Sequence, residues 1–331
     1  MRSFSGASLV VKAAVVLSVL SASGLALSGC AKVGQLKAMK SFKAANQAYQ
    51  QQDYKKASEF YEQTIAAAPE TPTANQAYFF LGNSYDQQFK PSKKGEDEND
   101  ALLTKAAENY KTAAEKLTQS EKPDEKKLAK LSLEYLVSVY GPDKLNDPAK
   151  AEPIVQKMIQ LDPQDPANYF ALAKIYEDAG AYDAAENILL KAKEAKPNDA
   201  SVYTTLAGYY NRQGQFDKTI DALEQRAAKE PNNPEAFQTI ATFYWDKAYR
   251  DATLKEPQKR EYLQKGIEAV DQAIKIKPDY MEALVYKGLL LRLEANLEKD
   301  AKKQAELMKE ANALRDRAEE LRKKKAAGVG E

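Results

Sequence analysis

Histidine is absent from the sequence, and cysteine occurs once in 331 residues. The absence of histidine removes the commonest general base and metal ligand, and with it every Ser-His-Asp or Cys-His nucleophile pair. A single cysteine can form neither an internal disulfide nor the thiolate cluster of a structural zinc site. The composition therefore excludes most hydrolase chemistry, and we expect neither a metal nor another cofactor.

An excess of charge of one sign is also absent. Lys and Arg total 49 against 48 Asp and Glu, a formal net charge of +1. Such a balance produces no strong field that would gather DNA or RNA, so a nucleic-acid partner is not expected. With 44% hydrophobic and 29% charged residues, the chain can bury a core and should fold.

The N-terminus carries a short uncharged run. Arg2 and Lys12 precede residues 13–27, which are almost entirely Ala, Val, Leu, Ser and Gly, and no acidic residue occurs before Cys30. A basic start followed by a short apolar stretch is typical of a signal peptide, and the run is too short for a confident transmembrane span. We expect residues 1–29 to be removed on export.

The single cysteine, Cys30, closes the tetrapeptide Leu27-Ser28-Gly29-Cys30. This stretch resembles the bacterial lipobox, in which an aliphatic residue and two small residues precede a cysteine. The resemblance implies that Cys30 is acylated and starts the mature chain, with residues 30–37 as a lipidated tether to the membrane. Two or three acyl chains, at about 0.8 kcal/mol per buried CH₂, would anchor the protein permanently. The alternative is an ordinary signal peptide followed by a coincidental cysteine.

The residue after Cys30 and the net charge bear on where such an anchor would lie. In lipoproteins an Asp directly after the cysteine is the signal for retention at the inner membrane, and here that residue is Ala31. The resemblance therefore implies that the protein is attached to the outer membrane and faces the periplasm. Removal of Arg2 and Lys12 leaves 47 basic and 48 acidic residues. Overall charge is therefore not expected to hold the protein on lipid.

The prolines of the middle of the chain recur at a fixed interval. Pro163, Pro197 and Pro231 lie 34 residues apart, and each ends an apolar helical pattern. A fixed period of this length indicates repeated structural units. Residues 169–197 and 203–231 align without a gap and resemble the tetratricopeptide repeat, a helix-turn-helix unit. The matching residues are Tyr169, Leu172, Ala173, Tyr176, Gly180, Ala185, Leu189, Ala192, Pro197, Tyr203, Leu206, Ala207, Tyr210, Gly214, Thr219, Leu223 and Pro231.

Fainter copies of this pattern occupy most of the remaining chain, among them "YFFLGNSY", "LEYLVSVYGPD" and "FQTIATFYW". The resemblance implies an all-α, right-handed solenoid of about seven repeats over residues 38–298. Gly180 and Gly214 are expected to adopt the left-handed backbone that ends the first helix of a repeat. A charged helix and a frayed tail are expected over residues 299–331.

The C-terminal segment carries an apolar stripe formed by Leu307, Ala311, Leu314, Ala318 and Leu321. This stripe spans about two heptads, which is too short to define a coiled coil. We favour a polar capping helix, because solenoids need a soluble outer face. A helix that pairs two subunits is the alternative.

In tetratricopeptide proteins the first helices of successive repeats line a concave groove. Mapped by position, the candidate groove residues are Phe42, Asn46, Tyr49, Phe79, Asn83, Phe170, Lys174, Asn211, Arg212 and Trp245. Aromatic and amide side chains in such a groove suit a peptide or a partner helix. The alternative for the aromatic residues is ordinary core packing. Trp245 is the stronger candidate, because Tyr244 already occupies the neighbouring core position.

The sequence as a whole predicts a lipid-anchored scaffold of the cell envelope with no catalytic activity of its own. It is similar to the lipoproteins that assist outer-membrane machines, such as pilotins, and a protein or peptide partner is expected. One alternative is a structural lipoprotein that pairs through its C-terminal helix. Another is a glycan-cleaving enzyme that uses two carboxylates alone.

Overall fold

The computed structural model describes residues 29–328, and side chains from Lys32 onward. These residues form fourteen α-helices and one short 3₁₀ turn, and no strand. The helices are α1 Gly29–Gln50, α2 Tyr54–Ala67, α3 Pro72–Gln88, α4 Asp97–Thr118, α5 Pro123–Val139, α6 Pro148–Leu161, α7 Pro166–Asp178, α8 Tyr182–Ala195, α9 Ala200–Arg212, α10 Phe216–Lys229, α11 Pro234–Arg250, α12 Glu256–Ile276, α13 Met281–Leu297 and α14 Ala301–Ala326. The predicted all-α repeat fold is confirmed.

The fourteen helices follow one another as seven helix-turn-helix pairs, which we call hairpins. The two helices of a hairpin pack on each other in α1–α2, α3–α4, α5–α6, α9–α10, α11–α12 and α13–α14. The described chain divides into two compact units. Unit 1 comprises residues 29–163 and 174–179, and unit 2 comprises residues 164–173 and 180–328. Each unit buries its own hydrophobic residues.

The turns follow the sequence signals. Gly180 and Gly214 have φ values of +74° and +70° and lie between the two helices of their hairpins, so the left-handed backbone predicted for them is confirmed. Side-chain oxygens of Thr71, Asp199 and Asn233 accept backbone N–H groups at the starts of α3, α9 and α11. Such caps satisfy donors that the first helical turn leaves without partners.

A tyrosine–glutamate hydrogen bond recurs along the array. Tyr176 donates to Glu152 Oε1 at 2.8 Å in unit 1, and Tyr210 donates to Glu186 Oε1 at 2.9 Å in unit 2. Both pairs are 24 residues apart, so they join the first helix of one hairpin to the second helix of the hairpin before it. Neighbouring hairpins thus share a polar contact in addition to their apolar core.

The C-terminal helix α14 is the second helix of the last hairpin. Ala311 and Ala318 are buried, and Leu314 lies near Gly288 of α13, where an added Cβ would be 3.8 Å from the leucine Cβ. The stripe considered above as a subunit-pairing face therefore packs on α13 of the same chain.

The N-terminal helix begins earlier than expected. Residues 30–37, predicted as a tether, form the first turns of α1. Cys30 belongs to this helix by its backbone, while its side chain and residues 1–28, including the predicted signal peptide, lie outside the described residues. Among residues 29–328 no helix combines the length and the apolar character needed to cross a bilayer.

Candidate protein-interaction site

The candidate residues of unit 1 join a buried polar network. Tyr49 Oη donates to Asn83 Oδ1 at 2.5 Å, and Asn83 Nδ2 donates to Tyr110 Oη at 3.1 Å. All three side chains are buried. Burial raises the pKa of both phenols, so they stay protonated and able to donate. The sequence-based assignment placed Tyr49 and Asn83 in the groove, but both side chains lie in the core. There the Asn83 amide forms hydrogen bonds with the hydroxyls of Tyr49 and Tyr110.

The aromatic candidates of unit 1 also contribute to its core. Phe79 is fully buried and meets Tyr135 edge-on, with ring centroids 5.7 Å apart. Phe42 is half-buried and meets the ring of Tyr61 at 5.8 Å, and Asn46 Oδ1 accepts the hydroxyl of Tyr61 at 2.7 Å. The core-packing alternative therefore describes unit 1.

Unit 2 presents an aromatic cluster at its surface. Trp245 and Tyr249, one turn apart on α11, stack with centroids 5.1 Å apart and planes 8° from parallel. Tyr286 of α13 meets the Trp245 ring edge-on at 5.9 Å. Trp245 and Tyr286 are half-buried, and Tyr249 is 60% exposed. We call these three residues the aromatic ledge.

Polar side chains continue the same face of α11 toward its N-terminus. Gln238, Thr242, Trp245 and Tyr249 are spaced by four, three and four residues, which places them on one side of the helix. Gln238 Nε2 donates to Thr242 Oγ1 at 2.7 Å. The face thus offers amide and hydroxyl groups at one end and aromatic rings at the other.

Charges beside the ledge form local pairs. Arg250 Nε lies 2.5 Å from Asp246 Oδ1, and Lys247 Nζ lies 2.8 Å from Asp251 Oδ2. The Lys247 ammonium and the hydrogen bonds from Thr253 hold the pKa of Asp251 below its ordinary value. Because the positive and negative side chains beside the ledge are paired, they favour neither an acidic nor a basic ligand.

The remaining candidates lie elsewhere. Phe170 is half-buried on α7, and Lys174 forms an ion pair with Asp178 one turn later. Asn211 and Arg212 are exposed at the end of α9. Among all the candidates, only Trp245 belongs to an exposed aromatic cluster in the described residues. Sequence reasoning missed Tyr249 and Tyr286, although the spacing of Tyr249 four residues after Trp245 could have indicated it.

The described residues contain no group of three or more Cys, Asp or Glu side chains placed to hold a metal ion. Their most buried aspartate, Asp86, contacts Lys144 through both carboxylate oxygens, at 2.6 and 2.8 Å. An ion pair of this kind is structural in character.

The chain was compared with known protein families. Residues 144–208 match the tetratricopeptide repeat family. This segment is similar to the tetratricopeptide repeat. It includes the first of the two gapless repeats and the beginning of the second. No curated protein sequence matches the chain.

Solved structures extend the tetratricopeptide likeness beyond that segment. The C-terminal part of a tetratricopeptide repeat protein from Cytophaga hutchinsonii is 18% identical over 82% of this chain and 95% of its own, with a TM-score of 0.50, which shows a shared fold. A tetratricopeptide repeat protein from Parabacteroides merdae is 13% identical over 83% of this chain and 99% of its own, with a TM-score of 0.46. YrrB, described as having an unusual peptide-binding site, is 18% identical over 78% of this chain and 97% of its own, with a TM-score of 0.35.

Proposed function

We propose that the protein is a non-catalytic interaction scaffold that binds a segment of a partner protein on the aromatic ledge of unit 2. The observation that carries this proposal is the stacked pair of Trp245 and Tyr249, with Tyr249 60% exposed. An exposed aromatic cluster on an otherwise polar surface typically marks a binding site. Tetratricopeptide folds are interaction modules, which supports the same conclusion.

The chemistry of the face defines the partner. Trp and Tyr contribute disproportionately to protein interfaces, because each buries a large rigid ring at a small entropic cost. The stack further restricts both rings before binding, which lowers the cost of ordering them. We therefore expect a peptide or helix with an apolar or aromatic side chain at the ledge and polar groups opposite Gln238 and Thr242.

The proposal includes attachment to the cell envelope through acylated Cys30. Its support is the sequence: a basic and then apolar leader, followed by the tetrapeptide ending in Cys30. The Cys30→Ser protein is expected to lose incorporated fatty acid and to leave the membrane fraction or keep its leader. An acylated, membrane-bound and correctly cleaved Cys30→Ser protein would contradict the anchor without affecting the ledge.

The ledge is tested by selecting peptides from a display library on the wild-type protein and measuring their affinity for variants by calorimetry. We expect Trp245→Ala to weaken selected peptides by at least about tenfold, or about 1.4 kcal/mol. Tyr182→Ala is the matched control, because Tyr182 is also an exposed aromatic residue of unit 2, at 49%. Equal affinity of wild type and Trp245→Ala, with unchanged helical circular dichroism, would refute the site.

A further inference from the structure

The outer side of α1 exposes three apolar residues near Cys30. Val33, Leu36 and Met39 are 67%, 66% and 59% exposed, and their spacing of three residues places them on adjacent positions of one side. They are among the most exposed large hydrophobic residues of the described chain. Exposed apolar residues grouped in this way indicate a surface that is covered in the working protein.

The rotation of α1 is fixed by its opposite side. Ala38 and Ala45 are buried against the rest of unit 1. Gly34 lies so close to α2 that a Cβ added to it would be 2.7 Å from the carbonyl oxygen of Ala67. Val33, Leu36 and Met39 cannot turn inward without breaking this contact.

The same outer side is basic. Helix α1 contains four lysines, Lys32, Lys37, Lys40 and Lys43, all exposed, and no acidic residue. The net charge of the whole chain is close to zero and therefore gives no sign of this local excess of positive charge. Lysines that flank exposed apolar residues on one side of a helix are characteristic of helices that lie on anionic membranes.

We infer that this face of α1, defined by Val33, Leu36, Met39 and the lysines Lys32, Lys40 and Lys43, rests on the anionic phospholipid surface of the membrane. The inference builds on the proposed acylation of Cys30. At a rise of 1.5 Å per residue, Met39 lies within about 14 Å of Cys30 along the helix, so the anchor delivers the face to the lipid. The acyl chains supply attachment, and α1 fixes how unit 1 is presented to the membrane.

The test places a fluorescent probe on the face. Acylated Leu36→Cys protein is labelled with an environment-sensitive maleimide and reconstituted in vesicles of phosphatidylglycerol and phosphatidylcholine that contain a lipid-borne quencher. Leu161→Cys, at an exposed residue of α6 in the same unit, is the matched control. We expect several-fold stronger quenching at position 36, and weaker quenching there when Lys32, Lys40 and Lys43 are changed to Gln.

Each outcome decides the proposal. Equal quenching at positions 36 and 161 would overturn it, as would a probe at position 36 shielded by a second copy in a dimer detected by native mass spectrometry. Because Cys30 is the only native cysteine, a reactive Cys30 would show that acylation had failed. Unacylated protein that carries Cys30→Ser, so that the probe attaches only at position 36, is then mixed with the same vesicles, and quenching at position 36 still decides the face separately from the anchor.

Discussion

Gly82 lies at a close contact between α3 and α4. A Cβ at this position would be 3.0 Å from Tyr110 Cδ1 and 3.1 Å from the Ala106 carbonyl oxygen. Because Tyr110 is completely buried, it has little room to move. We expect Gly82→Ala to lower the free energy of unfolding by about 1–3 kcal/mol, measured by urea denaturation.

Gly208 provides the control for that substitution. It also lies inside a helix, α9, but an added Cβ would meet only Arg212 Nη1, at 3.4 Å. Gly208→Ala should therefore show the helix-propensity gain alone, a stabilisation of up to about 1 kcal/mol. If both substitutions stabilised the protein, the close contact at Gly82 would be refuted.

The buried Asp86 and the partly buried Lys144 form an ion pair that joins α3 to the loop before α6. Replacing Lys144 with Met leaves the carboxylate without its cation, so we expect a loss of about 2–3 kcal/mol at about pH 7. The double variant Asp86→Asn/Lys144→Met should lose less, because no charge remains buried. An equal loss in both variants would show that the ammonium does not compensate the carboxylate.

The pH dependence of the same pair has a definite sign. Burial raises the pKa of Asp86 above its ordinary value of 3.8, while the Lys144 ammonium opposes the increase. A raised folded-state pKa favours folding below pH 3.8, and this contribution is lost as the pH rises through the folded-state value. Without Lys144 the pKa rises further, so the cost of Lys144→Met should decrease between about pH 7 and about pH 5. Urea denaturation at both pH values measures the change.

At the scale of the element, the apolar stripe of α14 can pack either on α13 of the same chain or on a second copy, and substitutions in α14 distinguish the two. Ala311 is completely buried, whereas Ala313, two residues later, is exposed. We expect Ala311→Arg to lower the free energy of unfolding by at least about 2 kcal/mol, because a charge would enter the contact with α13. Ala313→Arg should change it by less than about 0.5 kcal/mol.

Light scattering on the same two variants distinguishes internal packing from pairing. If the stripe packs within the chain, the molar mass of the wild type should not depend on concentration, and Ala311→Arg should be less stable than the wild type. A wild-type dimer that Ala311→Arg converts to a stable monomer would instead favour the pairing helix considered from the sequence.

At the scale of the whole molecule, the repeats were predictable because their signals are local. Glycine at a left-handed turn and proline at a helix boundary act within a few residues, and a fixed period repeats them. The binding face was less predictable. Periodicity shows on which side of a helix a side chain lies, but not which residues of other helices contact it. Asn83 and Trp245 were both assigned to the groove, yet Tyr49 and Tyr110 hydrogen-bond to a buried Asn83, whereas the exposed Tyr249 stacks on the half-buried ring of Trp245.

The two units allow a final prediction about cooperativity. In repeat proteins stability is carried by each repeat and its nearest neighbours, so a local defect need not spread along the array. Gly82 belongs to unit 1, and Trp245, the only tryptophan, belongs to unit 2. Tryptophan fluorescence therefore reports the unfolding of unit 2 alone, whereas far-ultraviolet circular dichroism reports all helices.

Gly82→Ala should consequently lower the denaturation midpoint seen by circular dichroism and leave the fluorescence midpoint nearly unchanged. Gly266→Ala should lower the fluorescence midpoint, because an added Cβ there would be 2.9 Å from Leu290 Cδ2 within unit 2. It should also lower the circular dichroism signal of the unit 2 helices at the same denaturant concentration. If Gly82→Ala shifted both midpoints equally, the whole chain would unfold as one cooperative block. A partner bound at the aromatic ledge would then stabilise unit 1 as well, whereas independent units confine that effect to unit 2.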